Sequence, residues 1–168
     1  MKAVIFDLDS TLSDTQQRHH LSPFVDPTRT WDDYSLSAEY DAPILGTIQL
    51  VRMLIPNYEL HILTGRRETA MSITKTWLAK HRVPWDVLRM RNESDPFTNE
   101  DYKLQYLEQL IARGITPVLF VNDWPEECKV VEEKLGVPTI CVNPRYDCGE
   151  DPVLVGWSGL KGSVDNAS

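Results

Sequence analysis

Short continuous apolar runs alternate along this chain with longer stretches of helical period. Residues 2–8, KAVIFDL, form a run with no polar alternation, the mark of a strand buried on both faces. The same pattern returns in YELHILTG at 58–65, in TPVLFVND at 116–123, in VPTICVN at 137–143 and more weakly in WDVLRMR at 85–91. Between these runs the period changes. APILGTIQLVRMLI at 42–55 places Ile44, Ile48, Val51, Leu54 and Ile55 on one helical stripe, and Pro43 suits a first helical turn. RETAMSITKTWLAKHRV at 67–83 predicts a helix that buries Ile73, Trp77 and Leu78. TNEDYKLQYLEQLIARG at 98–114 has an acidic first turn, Leu107, Leu110 and Ile111 along one side, and Gly114 to close it. PEECKVVEEKLG at 125–136 opens on proline and stops at glycine. Residues 15–41 are polar and aromatic without a sustained period, which predicts a loop or a small irregular insertion.

Strand–helix alternation predicts an α/β domain: a three-layer, doubly wound, mostly parallel sheet with helices on both faces and a small cap insertion at about 13–42. The expected core spans 1–142, with a C-terminal tail at 143–168. Within such a sheet, ligands bind outside the carboxyl ends of the strands. Three predicted strands end in polar groups: Asp7 and Asp9, Thr64-Gly65-Arg66, and Asn122-Asp123. They are expected to converge on one cleft.

Composition narrows the function classes. The 168 residues carry a formal charge of -8, which argues against a broad basic groove for nucleic acid or anionic membrane but leaves room for a few cations gathered at one site. Cys128, Cys141 and Cys148 have no metal-binding spacing and read as reduced thiols of a cytoplasmic protein. The first apolar run is cut by Asp7 and does not read as a signal peptide; no stretch approaches the ~20 apolar residues that span a bilayer.

Asp7 and Asp9 lie two apart, so extended backbone turns both to one side. Paired carboxylates stay ionised cheaply only beside a cation, and Asp123 adds a third acid at the neighbouring strand edge. Hard oxygen ligands of this kind suit Mg²⁺. A turn cap, the alternative, needs one acid and not two. Thr64, Gly65 and Arg66 stand between a strand and a helix, where backbone amides and the helix dipole would receive an anion. Lys103 opens a helix, where a cation opposes the dipole, and by spacing alone reads as a solvated lysine.

Together, D-x-D-x-T-L after a first strand, T-G-R after a second, a lysine early in a later helix and N-D after another strand resemble the haloacid dehalogenase superfamily of phosphohydrolases, over roughly residues 3–142. Within it the chain is most similar to the 3'-phosphatase domain of phage-type polynucleotide kinases. RHH after the aspartates, Trp31, Tyr34, YDAPI, TKTWL, LRMR and DYKLQYLEQL carry that likeness. The resemblance implies that Asp7 is the nucleophile, Asp9 the general acid and base, and Thr64 and Lys103 the partners of the phosphoryl group. It also implies a Mg²⁺ held by Asp7, Asp9 (through its backbone carbonyl) and Asp123, with Thr11, Gly65 and Arg66 at the substrate. Two departures stand out. Ser10 replaces the usual glycine, and Asn122 replaces the first aspartate of a D-D pair. Glu127, four residues beyond Asp123, reads as an exposed helix glutamate, with a water-mediated contribution as the alternative.

The insertion at 13–42 is too short for a full cap domain and leaves an open cleft, which suits the end of a polymer. Arg18, His19, His20, Trp31 and Tyr34 fall in it. The aromatics and Arg18 either stack a base and pair with phosphate or pack the lid on the core; the histidines read as solvated. No G-x-x-x-x-G-K-[ST] loop occurs in these residues, so no kinase half is expected. The expected substrate is a phosphorylated nucleic-acid end, cleaved through an aspartyl-phosphate by a stand-alone 3'-phosphatase in the cytoplasm (the host's, if phage-encoded). The alternatives are a phosphatase of free nucleotides and, more remotely, a receiver-like phosphoacceptor module.

Overall fold

A computed structural model describes residues 1–92 and 94–142; the expected tail at 143–168 and Cys148 lie outside the described residues. In chain order the elements are β1 (Lys2–Phe6), β2 (Ser13–Asp14), α1 (Trp31–Leu36), β3 (Ala42–Pro43), α2 (Leu45–Leu54) and β4 (Glu59–Arg67). There follow α3 (Met71–Lys80), β5 (Val87–Arg91), α4 (Asn99–Ala112), β6 (Thr116–Asn122), α5 (Pro125–Leu135) and β7 (Thr139–Cys141). Single 3₁₀ turns occupy Gln16–Leu21, Ser37–Tyr40 and Glu68–Ala70.

The apolar runs pair as one five-stranded sheet in the order β5-β4-β1-β6-β7, every neighbouring pair parallel. The order reverses at β1: the chain moves outward through β4 and β5, then resumes on the other side with β6 and β7. Right-handed crossovers then put α2 and α3 on one face and α4 and α5 on the other. Strand alternation divides the core accordingly. Ala3, Ile5, Leu63 and Phe120 pack with Leu107, Leu110 and Val131, whereas Val4, Phe6, Leu8, Leu60 and Ile62 pack with Ile48, Val51, Trp77 and Leu78. The mouth of the sheet at this reversal is where a ligand cleft is expected.

Several sequence expectations change in detail. Pro43 is not in a helical turn; it pairs with Ser13 in the two-stranded β2–β3 ribbon, and α2 begins at Leu45. In α3, Trp77 and Leu78 are buried but Ile73 is half-buried, because Thr74 takes the inward position and accepts a bond from Arg66 Nη1 at 3.4 Å. Ile111 is exposed on α4, whose inner face is completed by Tyr102, Lys103 and Tyr106. The expected irregular insertion contains a helix, α1, opened by a capping box in which Thr30 accepts from the Asp33 amide while Asp33 accepts from the Thr30 amide.

Strand β4 continues through the T-G-R motif to Arg67, so no helix N-terminus lies there. Its pairing with β5 jumps from Leu63↔Arg89 to Arg67↔Arg91, four residues advancing against two. This bulge turns Gly65 and Arg66 toward the cleft. The anion-receiving surface expected from a helix dipole is therefore strand backbone.

Trp77 joins the insertion to the core. Its indole Nε1 donates to the Asp41 carbonyl at 2.7 Å, with both residues buried. Trp77→Phe is expected to cost about 1–3 kcal/mol from the orphaned carbonyl, seen as a lowered denaturation midpoint. A midpoint equal to the wild type's would mean that Trp77 only fills space.

Candidate active site

At the end of β1 the alternation carries on past Phe6: Leu8 enters the core, and Asp7 and Asp9 face the opposite side. The Asp7 amide still donates to Val121 O at 2.8 Å, which extends the ladder by one residue. The chain then turns through Ser10 at φ 58°, the left-handed region that explains a glycine preference there; its Oγ bonds Thr15 Oγ1 at 2.8 Å.

The cation beside Asp9 is a pair of guanidiniums. Arg18 Nη2 donates to Asp9 Oδ1 at 2.5 Å and Arg66 Nε donates to the same oxygen at 2.8 Å. Both arginines also donate to Asp41, from Arg18 Nε at 2.9 Å and from Arg66 Nη2 at 3.0 Å. Arg18 and Arg66 are buried, and each has two carboxylates within ion-pair distance to offset the cost of desolvation. Burial opposes ionisation of Asp9, but the two guanidiniums outweigh it and hold its carboxyl far below the usual range. All these contacts fall on Oδ1, leaving Oδ2 for the cleft. Arg18 also stacks on Tyr34, its guanidinium carbon 4.0 Å from the ring centroid.

A second network surrounds Asp7. Lys103 Nζ lies 3.2 Å from Asp7 Oδ2 and donates to Glu127 Oε2 at 2.8 Å and to Asn122 Oδ1 at 3.1 Å. These partners answer why a lysine sits in the first turns of α4: two buried acids outweigh the dipole and raise its pKa against the effect of burial. Glu127 is buried, contrary to the exposed position expected from sequence. Its carboxylate also accepts from Asn122 Nδ2 at 2.6 Å and from Asn99 Nδ2 at 2.7 Å. The charge that Asn122 lacks is thus supplied five residues later.

Burial pushes the Asp7 carboxyl up to about 6 although Lys103 pulls it down. Burial and the neighbouring Asp7 charge drive Asp123 well above its ordinary value as well. Asp7 Oδ1 is buried without a hydrogen-bond partner. Two facing acids and an orphaned carboxylate oxygen suit a hard divalent cation. Among the described residues no three His, Cys, Asp or Glu side chains cluster as a metal site. The set expected from sequence takes two carboxylates and the Asp9 backbone carbonyl, so it is not a cluster of that kind.

The cleft above these groups has a volume of about 490 Å³. Asp7, Asp9, Gly65, Arg66, Lys103 and Asp123 line its floor, and Trp31 and Tyr34 line it from the insertion. Arg18, His19, His20 and Thr11 do not line it: Arg18 and Thr11 are buried, and the two histidines are exposed elsewhere. Thr64 is fully buried beneath the bulge, its Oγ1 accepting from the Arg66 amide at 3.2 Å. Sequence reasoning missed Asp41, Asn99, Phe24, Trp124, Arg67 and Arg91. Of these, Asp41 had a signal in the YDAPI segment and Arg91 in the LRMR segment.

A parallel sheet with an acid pair after its first strand, a lysine on a later helix and an acid after β6 is the arrangement of the haloacid dehalogenase fold. Solved structures of that fold superpose on the chain. A hydrolase of the haloacid dehalogenase-like family from Streptococcus pneumoniae matches with TM-score 0.60 at 17% identity, covering 84% of each chain. The L-2-haloacid dehalogenase from Xanthobacter autotrophicus matches with TM-score 0.54 at 16% identity, covering 84% of this chain and 77% of its own. A chain in the structure of a Pnkp1/Rnl/Hen1 complex matches with TM-score 0.71 at 24% identity over 84% of this chain. The present chain spans 46% of the length of that one. No curated protein sequence matches significantly. Residues 1–145 match the family described as the polynucleotide kinase PNKP phosphatase domain, and the chain belongs to that family. Among the described residues no helix is long and apolar enough to cross a membrane.

Two predictions arise from the charges. Asp7 and Asp123 have folded pKa values above their unfolded ones, so each favours folding at low pH and loses that contribution as pH rises through the folded value, about 6 for Asp7. A divalent cation bound between them reverses the loss. Added Mg²⁺ is therefore expected to raise the melting temperature more at pH 7.5 than at pH 5.0, with Asp123→Asn erasing the difference. Equal shifts at both pH values would count against this site. Separately, Glu127→Gln leaves Lys103 with Asp7 as its one ion-paired acid and is expected to cost on the order of 1–3 kcal/mol by chemical denaturation.

Proposed function

We propose that this domain removes the phosphate from the 3'-end of a polynucleotide through an aspartyl-phosphate on Asp7. The observation that carries this reading is the open cleft over Asp7. Exposed aromatic rings of Phe24, Trp31 and Trp124 stand around it, with Arg67 and Arg91 on the β4–β5 side. Rings and cations around a phosphotransfer centre suit bases and phosphates. Family membership supports the same assignment.

Each residue then has a task. Lys103 holds Asp7 Oδ2 and offsets charge on the phosphoryl group, while Oδ1 attacks phosphorus and the bond to the 3'-oxygen breaks. The leaving alkoxide takes its proton from Asp9. An arriving phosphate dianion adds negative charge beside the clamp and draws on Arg66, which lifts the Asp9 carboxyl toward protonation. In the second half, Asp9 returns to its clamped, ionised state. It takes a proton from water, the water oxygen attacks phosphorus, and inorganic phosphate leaves with Asp7 restored. The Gly65 bulge faces the phosphoryl oxygens, and Thr64, buried beneath it and outside the cleft lining, holds the Arg66 amide in place. Asp7, Asp123 and the Asp9 carbonyl would hold Mg²⁺, which supplies charge screening between the two anions that must meet. The expected division into a core at 1–142 and a cap at 13–42 belongs to this proposal. So does placement in the cytoplasm, where free thiols such as Cys128 and Cys141 stay reduced.

A cleft of about 490 Å³ also has the size for a single nucleotide, so a phosphatase of free nucleotides is the second reading. Phosphate release in Mg²⁺ from a 3'-phosphorylated oligonucleotide, its 5'-phosphorylated counterpart and free 3'- and 5'-mononucleotides separates the two. The 3'-phosphorylated oligomer is expected to be the best substrate, and Asp7→Asn to lower its turnover by at least about a thousandfold. A preference for mononucleotides would overturn the end-directed reading.

A further inference from the structure

Three of the cations around the cleft are spoken for. Arg66 is bound by Asp9 and Asp41, Lys103 by Asp7 and Glu127, and Arg67 donates to the Asn92 carbonyl at 3.1 Å. Arg91 is different. It ends β5 opposite Arg67 and lines the cleft, yet its Nε is buried with no hydrogen-bond partner, and it forms no ion pair among the described residues. A buried guanidinium N–H without an acceptor is costly unless a ligand supplies one. The planar fork of arginine matches phosphate geometry. The acids that line the same cleft, Asp7, Asp9, Glu100, Asp123 and Glu127, form no ion pair with Arg91 among the described residues.

We infer that Arg91 is the subsite for a second phosphate of the substrate, the phosphodiester that precedes the terminal 3'-phosphorylated nucleotide. The inference rests on the 3'-end reading and adds to it what the enzyme grips beyond the reacting group. In the sheet order, β5 lies two strands from β1, roughly 10 Å at the usual interstrand spacing. The reach of an arginine side chain back over β4 brings a group one nucleotide away within contact. Phe24 and Trp31 border the same cleft, where a base between the two phosphates can rest. No other linkage need be held, in keeping with a formal charge of -8 that repels a long polyanion.

The test compares a 3'-phosphorylated dinucleotide with its analogue in which the internal linkage is a neutral methylphosphonate. For the wild-type enzyme, kcat/KM is expected to fall about 10–100-fold on neutralising the linkage, the range for a charge-assisted bond. For Arg91→Gln the ratio of the two substrates is expected to approach one, and for Arg91→Lys to lie between. Reading the ratio within each variant removes any effect on folding or on the chemical step. A ratio near one for the wild type, or the same large ratio in Arg91→Gln, would overturn the assignment while leaving 3'-end activity intact. Release of phosphate from neither dinucleotide by the wild type, alongside turnover of mononucleotides, would instead overturn the end-directed reading and this one with it.

Discussion

The clamp on Asp9 is the interaction on which the rest of the site depends. Two guanidiniums held between Asp9 and Asp41 are withdrawn from water, and neither half of the arrangement is tolerable alone: bare arginines or bare aspartates at this depth each cost several kcal/mol. The partners come from three places. Asp9 follows β1, Arg66 sits in the bulge of β4, and Arg18 and Asp41 belong to the two ends of the insertion. One charge network therefore closes the insertion onto the core, fixes the bulge that faces the cleft, and holds the Asp9 carboxyl ionised. Trp77, bonded to the Asp41 carbonyl, ties that network to the apolar layer beneath α3.

The charge balance of the buried site explains why its two halves differ. Five carboxylates, those of Asp7, Asp9, Asp41, Asp123 and Glu127, face three cations, Arg18, Arg66 and Lys103, which leaves two negative charges uncompensated. On the Asp9 side, two cations meet two acids and the balance closes. The deficit lies entirely on the Asp7 side, where Lys103 alone faces Asp7, Asp123 and Glu127. Burial and neighbouring acids drive Asp7 and Asp123 upward there, while burial raises Asp41 against both arginines, and the Asp7-side charge is the one that a divalent cation would neutralise. Moving one acid from position 122 to 127 preserves this balance, because Asn122 is hydrogen-bonded to the glutamate that replaces its charge.

The sheet was legible because its central strands fall in apolar runs and helices such as α5 carry their own stop, Gly136 at φ 64°. The acids and the lysine were legible because they fall at strand ends or in a spaced motif. What could not be read was partnership at a distance. Asp41 sits 23 residues from Arg18 and 25 from Arg66, and nothing local to YDAPI reveals that its carboxylate is buried. Arg18 read as a substrate contact because lid cations ordinarily face solvent. Glu127 read as exposed because α5 shows acids on several faces, and only the position of Lys103 decides which of them turns inward. The bulge at Gly65 escaped notice for a related reason: a strand that changes register against its neighbour has the same sequence as one that ends.

Under the proposed 3'-end reading, an acidic protein has to confine its attraction for a polyanion to a small area, and the architecture does this by depth. The strongest cations lie buried beneath the cleft and are already matched by acids, so they project little field into solvent. The rim cations, Arg67 and Arg91, stand on the β4–β5 side alone, while Glu100 and Trp124 line other parts of the cleft. A strand lying across the whole surface would meet net repulsion. A chain end entering from the β5 side meets arginine first, then aromatic surface, then the acids whose deficit a cation fills. Under that reading the asymmetry favours termini over continuous duplex without a long basic groove, and it follows from where the strand order reverses, since only one side of β1 carries the arginine-bearing strands.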